Sequence, residues 1–100
     1  MMDLISTPYR LEENPKHIAK LMTLENVAVV NIQLKTGETI AEHDSKREVI
    51  IIVRRGAVIF DVEGTETLVT QDNVLHMSPL EKHSLRATED TDLILLQITP

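Results

Sequence analysis

Apolar positions along the chain either alternate with polar ones or run unbroken for a few residues, and turn residues separate the segments. This is the signature of short strands rather than helices. Ile18 to Thr23 reads as a strand, although NPKHIAKLM also suits the start of a helical turn. From Val27 to Lys35, Ala28, Val30, Ile32 and Leu34 share one face, and Val27, Val29, Asn31 and Gln33 form a half-polar one. Thr36-Gly37-Glu38 is a turn, and Glu48 to Arg54 is a strand with both faces apolar. Gly56 marks a tight turn into a return strand from Ala57 to Glu63, and Gly64 turns the chain into Glu66–Thr70. A further strand ends at Met77 after the turn Gln71-Asp72-Asn73. Ser78-Pro79-Leu80-Glu81 is a loop, because Pro79 has no N–H for a ladder. Strands at His83–Ala87 and Leu93–Ile98 complete the pattern.

Many short strands at near-regular spacing predict an all-β fold, an antiparallel sandwich or barrel. No segment reads as a linker, so residues 1–100 are expected to form one domain, with residues 1–15 as an irregular arm and 18–98 as the barrel. The arm is expected to wrap this domain or a neighbour. In Val49-Ile50-Ile51-Ile52-Val53, alternate side chains point to opposite faces and both sets are apolar. One face suits a barrel lumen. The other needs a cover, since an exposed strand of this composition invites aggregation. A homodimer is the economical cover.

Composition narrows the function. The chain has 100 residues, 42% of them apolar, enough for one modest core. Its formal charge of −6 argues against nucleic acid, whose phosphates call for clustered Lys and Arg. Lys46-Arg47 and Arg54-Arg55 are the basic pairs, diluted by Asp44 and Glu48. There is no cysteine, which suits a reducing compartment. MMDLISTPYR lacks a basic lead and a long apolar run, and no stretch reaches membrane-spanning length. The expectation is a cytoplasmic protein with no membrane role. Nucleophile-elbow, P-loop and dinucleotide-binding motifs do not occur.

The histidines carry the remaining chemistry. Five residues separate Gly37 from His43, and Ser45 and Glu48 follow before Gly56. Further on, MSPLEKHSL contains His83, and Ala87-Thr88-Glu89-Asp90-Thr91-Asp92-Leu93-Ile94-Leu95 follows it. From Gly37 to Ala87 these residues resemble the two motifs of the cupin superfamily, G-x5-H-x-H-x3/4-E-x6-G and G-x5-P-x-G-x2-H-x3-N. The last segment is similar to the AxEDxxLLL of short single-domain cupins. The resemblance implies a jelly-roll β-barrel, usually dimeric, with any ligand inside the barrel. It also implies a metal, one of Fe, Mn, Ni, Zn or Cu, held by histidines and a glutamate. His43 and His83 take two of the ligand positions. Ser45 stands in place of the second histidine, and Ser78, Leu80 and Ala87 replace the proline, glycine and asparagine of the second motif. Glu48 is the available carboxylate, but seven residues rather than six separate it from Gly56. That spacing puts Val49 at the inward position and turns Glu48 to the opposite face, unless a bulge intervenes.

Each residue also has an ordinary structural reading. His83 shares parity with Leu85 and Ala87, so it points inward either as a ligand or as a hydrogen-bonded lining residue. His43 is a ligand or a loop residue at the barrel mouth. His76 reads as an ordinary strand histidine and His17 as a surface residue of the arm. Arg54 and Arg55 form a solvated turn, or Arg55 reaches the rim to hold an anion. With Tyr9 and Phe60 as the only aromatics, a stacking platform for sugars or bases is not expected. Three functions remain open. The first is a non-enzymatic barrel that binds a small molecule. The second is a metal-dependent cupin enzyme of dioxygenase or isomerase type, using His43, His83 and Glu48. The third is a metal-free enzyme with His83 as general base.

Overall fold

The computed structural model describes residues 1–99, which form nine strands: β1 Lys16–Thr23, β2 Val27–Leu34, β3 Thr39–His43, β4 Glu48–Arg55, β5 Ala57–Val62, β6 Thr65–Thr70, β7 Val74–Met77, β8 His83–Ala87 and β9 Thr91–Ile98. They make two antiparallel sheets in the order β1-β2-β9-β4-β7 and β3-β8-β5-β6. This is a jelly roll whose two sheets are not joined into a closed barrel. No helix long and apolar enough to cross a membrane occurs among the described residues.

The core lies between the sheets, and alternation decides which residues enter it. Ile32 and Leu34 of β2, Val49, Ile51 and Val53 of β4, and Leu93 of β9 meet Val58 and Phe60 of β5, Val69 of β6, and Leu85 and Ala87 of β8. Removing one such large side chain leaves a cavity and costs about 2–5 kcal/mol. Parity also turns Ile50 and Ile52 of β4 outward. They register with Leu96 and Ile94 of β9 and with His76 and Val74 of β7. The outer face of the five-stranded sheet is therefore apolar at its centre, and Ile52 is 40% exposed there.

The arm covers part of that face. The half-polar side of β2 proves to be buried, with Asn31 and Gln33 at 1% and 0% exposure. Gln33 Nε2 donates to the carbonyls of Pro8 and of the Asn31 side chain, and its Oε1 accepts from the Arg10 amide. Arg54 donates to both oxygens of Asp92 and to Thr7 Oγ1, and Asn31 Nδ2 donates to Asp92. Leu11 of the arm is buried at 1%, and Arg55 lies over the Tyr9 ring at 4.4 Å. The two arginines expected in a solvated turn, or at a rim, thus anchor the arm to the outside of the sheet. His17 belongs to β1, not to the arm.

Two local expectations need correction. The first is Gly56, where no hairpin forms. β4 pairs with β7 and β9, and β5 pairs with β6 and β8, so Gly56 is the corner where the chain passes between sheets. Its φ is +85°, and a Cβ there would run into the Asp90 carbonyl oxygen. The hairpin lies one turn later, where Glu63 and Gly64 both take positive φ between the paired Val62 and Thr65, as a tight two-residue loop requires. The second correction is β3, which has too few apolar residues for its pattern to show. It is an edge strand, tied to β8 through Gly37 N to Ala87 O and Ala87 N to Glu38 O.

Candidate functional site

β1 and β3 are edge strands of the two sheets. Lys16 Nζ donates to Thr39 O between them. Behind this contact lies a cavity of about 330 Å³. One wall is the inner face of the five-stranded sheet, with Ile18, Lys20, Val30, Ile32, Leu95 and Gln97. The other is the inner face of the four-stranded sheet, with Ile40, His43, Phe60, His83 and Leu85.

A bulge builds the histidine pair. Ile40 registers with Leu85 and His43 with His83, so β3 spends one residue more than β8 over the same span. Without that extra residue, the alternation from Ile40 would send Glu42 inward and His43 out. The bulge reverses this. The two rings meet edge to face with centroids 4.2 Å apart and planes at 64°. Glu42 and Asp44 stay exposed at the mouth beside Lys82.

Each ring is oriented through its own backbone. His43 Nδ1 lies 2.8 Å from Ala41 O, and His83 Nδ1 lies 3.0 Å from Glu81 O. A carbonyl can only accept, so Nδ1 carries the proton in both rings and Nε2 is the free acceptor. Burial pulls the His83 pKa below its ordinary 6.5, and the neighbouring His43 adds to that. The Glu81 carbonyl, Asp44 and the Glu81 carboxylate work the other way. His83 is therefore neutral at pH 7, a hydrogen-bond acceptor in an apolar wall.

Glu48 does not join the pair. Its Oε1 lies 3.1 Å from His76 Nε2, with which it shares the outer face of β4 and β7. No bulge turns it inward, and its side chain lies on the face opposite Val49. Ser45 is spent on the loop, accepting from Arg47 N with its hydroxyl and from Leu80 N with its carbonyl. Among the described residues no group of three or more His, Cys, Asp or Glu is placed to hold a metal ion. Two imidazoles fall short of the three protein donors of ordinary catalytic zinc and non-haem iron sites. The residues present thus do not fit the metal set that the resemblance implied. Lys20 and Gln97 are site residues that no motif in the sequence singles out. The available signal was parity, with Ile18 in one strand and with Leu93 and Leu95 in the other.

No family model and no curated protein matches the sequence. Solved structures do match in three dimensions. A cupin superfamily protein of Desulfitobacterium hafniense has a TM-score of 0.80 at 12% identity, over 88% of this chain and 81% of that one. An RmlC-like cupin of Methanocaldococcus jannaschii, with a double-stranded β-helix fold, has a TM-score of 0.85 at 16% identity, over 99% and 92%. Salicylate 1,2-dioxygenase of Pseudoaminobacter salicylatoxidans has a TM-score of 0.79 at 14% identity, and the match spans 84% of this chain but 25% of the enzyme. The chain has the cupin fold.

Proposed function

We propose that this cupin-fold chain is a small-molecule-binding protein that works without a tightly held metal. One observation carries the reading. The inter-sheet cavity retains two oriented imidazoles on an apolar wall, whereas the positions that would complete a metal cage are a loop serine and a carboxylate committed to His76. A ligand entering between β1 and β3 meets apolar walls from both sheets, the pattern expected of small-molecule sites. The metal-dependent dioxygenase or isomerase reading would need a donor from outside this set. Titrating tag-free protein with Fe(II), Mn(II), Ni(II) and Zn(II) separates the two. Substoichiometric metal after purification, with no saturable uptake, is the expected outcome. Stoichiometric uptake that is abolished by His83→Ala would overturn the proposal. Since the chain contains no cysteine, a reducing compartment suits it, and the cytoplasm is the proposed location.

The working species is proposed to be a homodimer. The centre of the outer sheet face, around Ile50, Ile52, Val74, Ile94 and Leu96, lies beside the area the arm covers. The distal arm is apolar and uncovered as well, with Leu4 at 95% exposure. Thr7, Pro8 and Arg10 of this chain hold to Arg54 and Gln33 on the adjoining part of the same face. A second copy brings another such face and another such arm.

A further inference from the structure

The two walls of the cavity differ in what they ask of a ligand. On the five-stranded sheet the polar groups are Lys20, from β1, and Gln97, from β9. Lys20 registers with Val30, and Val30 with Leu95, so the inner residues of three adjacent strands form this wall, with Gln97 next along β9. The Lys20 ammonium takes no part in the ion pairs Arg54–Asp92, His76–Glu48 and Arg86–Glu66 found among the described residues. No Asp or Glu lines the cavity to neutralise it. The four-stranded sheet offers the reverse. His43 and His83 have their Nδ1 protons committed to carbonyls and keep only Nε2 acceptors free. The rest of the two walls is apolar: Val30, Ile32 and Leu95 on one, and Ile40, Phe60 and Leu85 on the other.

We infer that the cavity takes a small hydroxy acid, its carboxylate against Lys20 and Gln97 and its hydroxyl donating to an Nε2 of the imidazole pair. This rests on the ligand-pocket reading above. A carboxylate alone leaves the Nε2 acceptors of both rings without a donor, and an alcohol alone leaves the ammonium without a counter-charge. A cationic ligand would be repelled by Lys20. The volume, roughly ten water molecules' share of the liquid, suits a single ring or a short chain. Lys20 is then the residue that sets charge specificity, and His43 helps to set the preference for a hydroxyl.

The probes are the three hydroxybenzoate isomers, benzoate without the hydroxyl, and the three hydroxybenzamides without the charge. Binding is read by amide chemical shifts and by calorimetry on the wild-type chain, Lys20→Met and His43→Leu. Both substituted residues are exposed at the cavity mouth, so folding should survive. At least one hydroxybenzoate is expected to bind about tenfold or more tighter than its amide and than benzoate. Lys20→Met should remove the preference over the amide and His43→Leu the preference over benzoate. Amides that bind as tightly as acids, or a preference that survives Lys20→Met, would overturn the assignment while leaving a ligand pocket in place. If no probe of either class perturbs the cavity resonances, the ligand-pocket reading and the hydroxy-acid assignment fall together.

Discussion

His43 and His83, brought side by side by a one-residue bulge in β3, meet edge to face with ring centroids 4.2 Å apart. The contact makes one ring part of the other's environment. His83 is 3% exposed and its pKa is lowered, chiefly by burial. As pH falls through 6.5 the unfolded chain takes up the His83 proton before the folded chain does. The stability tied to His83 is therefore fully present above pH 6.5 and is lost as pH falls toward the lower folded value. Urea unfolding at pH 7.5 and 5.5 should show a smaller midpoint at the lower pH, and His83→Gln should narrow the difference. Asp90 acts in a more acidic window. Its carboxylate accepts from the amide and hydroxyl of Thr36, which lowers its pKa below 3.8. Its contribution is present above that value and disappears as pH falls through the folded pKa. Thr36→Val should weaken it.

The bulge also marks the limit of what the pattern of residues reveals. The strands with an apolar face, β2, β4, β5 and β8, follow directly from alternation, and so does the inward turn of His83 beside Leu85 and Ala87. β3 carries Ile40 as its one half-buried residue, too little signal for a strand. Strict alternation from Ile40 would moreover have put Glu42 in the cavity. A bulge is set by pairing with a distant strand, which a local pattern does not contain. Gly56 illustrates the same limit. A glycine between two strands reads as a hairpin, and only the pairing of β4 with β9 and of β5 with β8 makes it a corner. The burial of Asn31 and Gln33 depends on where the arm lands, which local alternation does not specify either.

Gly56 yields the sharpest stability prediction. A non-glycine residue held at positive φ costs of order 1–3 kcal/mol, and at Gly56 the added methyl group would also run into the Asp90 carbonyl and the Thr91 backbone. At Gly64, with φ +87°, an added Cβ would meet nothing within 4 Å. Gly56→Ala should therefore destabilise the protein more than Gly64→Ala, by roughly 2 kcal/mol or more, as expected when backbone must move to relieve overpacking. Equal losses in denaturant unfolding would show that the corner relaxes freely.

The arm should be separable from the core energetically. Leu11 is 1% exposed yet lies outside the inter-sheet cluster. Leu11→Ala is expected to cost about 2–3 kcal/mol, toward the low end for a buried leucine, since the site can collapse. The arm should then become open to limited proteolysis before the strands are cut. Asp92→Ala removes the acceptor of Arg54 and Asn31, and should cost about 1–3 kcal/mol by leaving the buried Asn31 donor unpaired. Because Gln33 links Asn31 to Pro8 and Arg10, the two substitutions touch one network, and their double-mutant cycle should be non-additive. Strict additivity would mean that the polar ladder and the arm hold independently.

The outer sheet face gives the prediction for assembly. Ile52 and Val74 are cross-strand partners, 40% and 63% exposed, so paired charges placed there remain solvated in a monomer but are buried in any dimer that covers the face. Ile52→Lys with Val74→Lys should leave the unfolding midpoint of an isolated chain nearly unchanged, since surface substitutions usually shift stability by no more than about 0.5 kcal/mol. Sedimentation velocity across a dilution series should then show the wild-type chain as a dimer and the double variant as a monomer. Deleting residues 1–5 distinguishes the two ways a second copy covers the face. If the neighbour's distal arm is the cover, the deletion weakens dimerisation as the lysines do. If the two sheets pack directly, it leaves the dimer intact. A wild-type chain that sediments as a monomer at every concentration would reject the homodimer, and the exposed isoleucine strand would then be tolerated as bare surface.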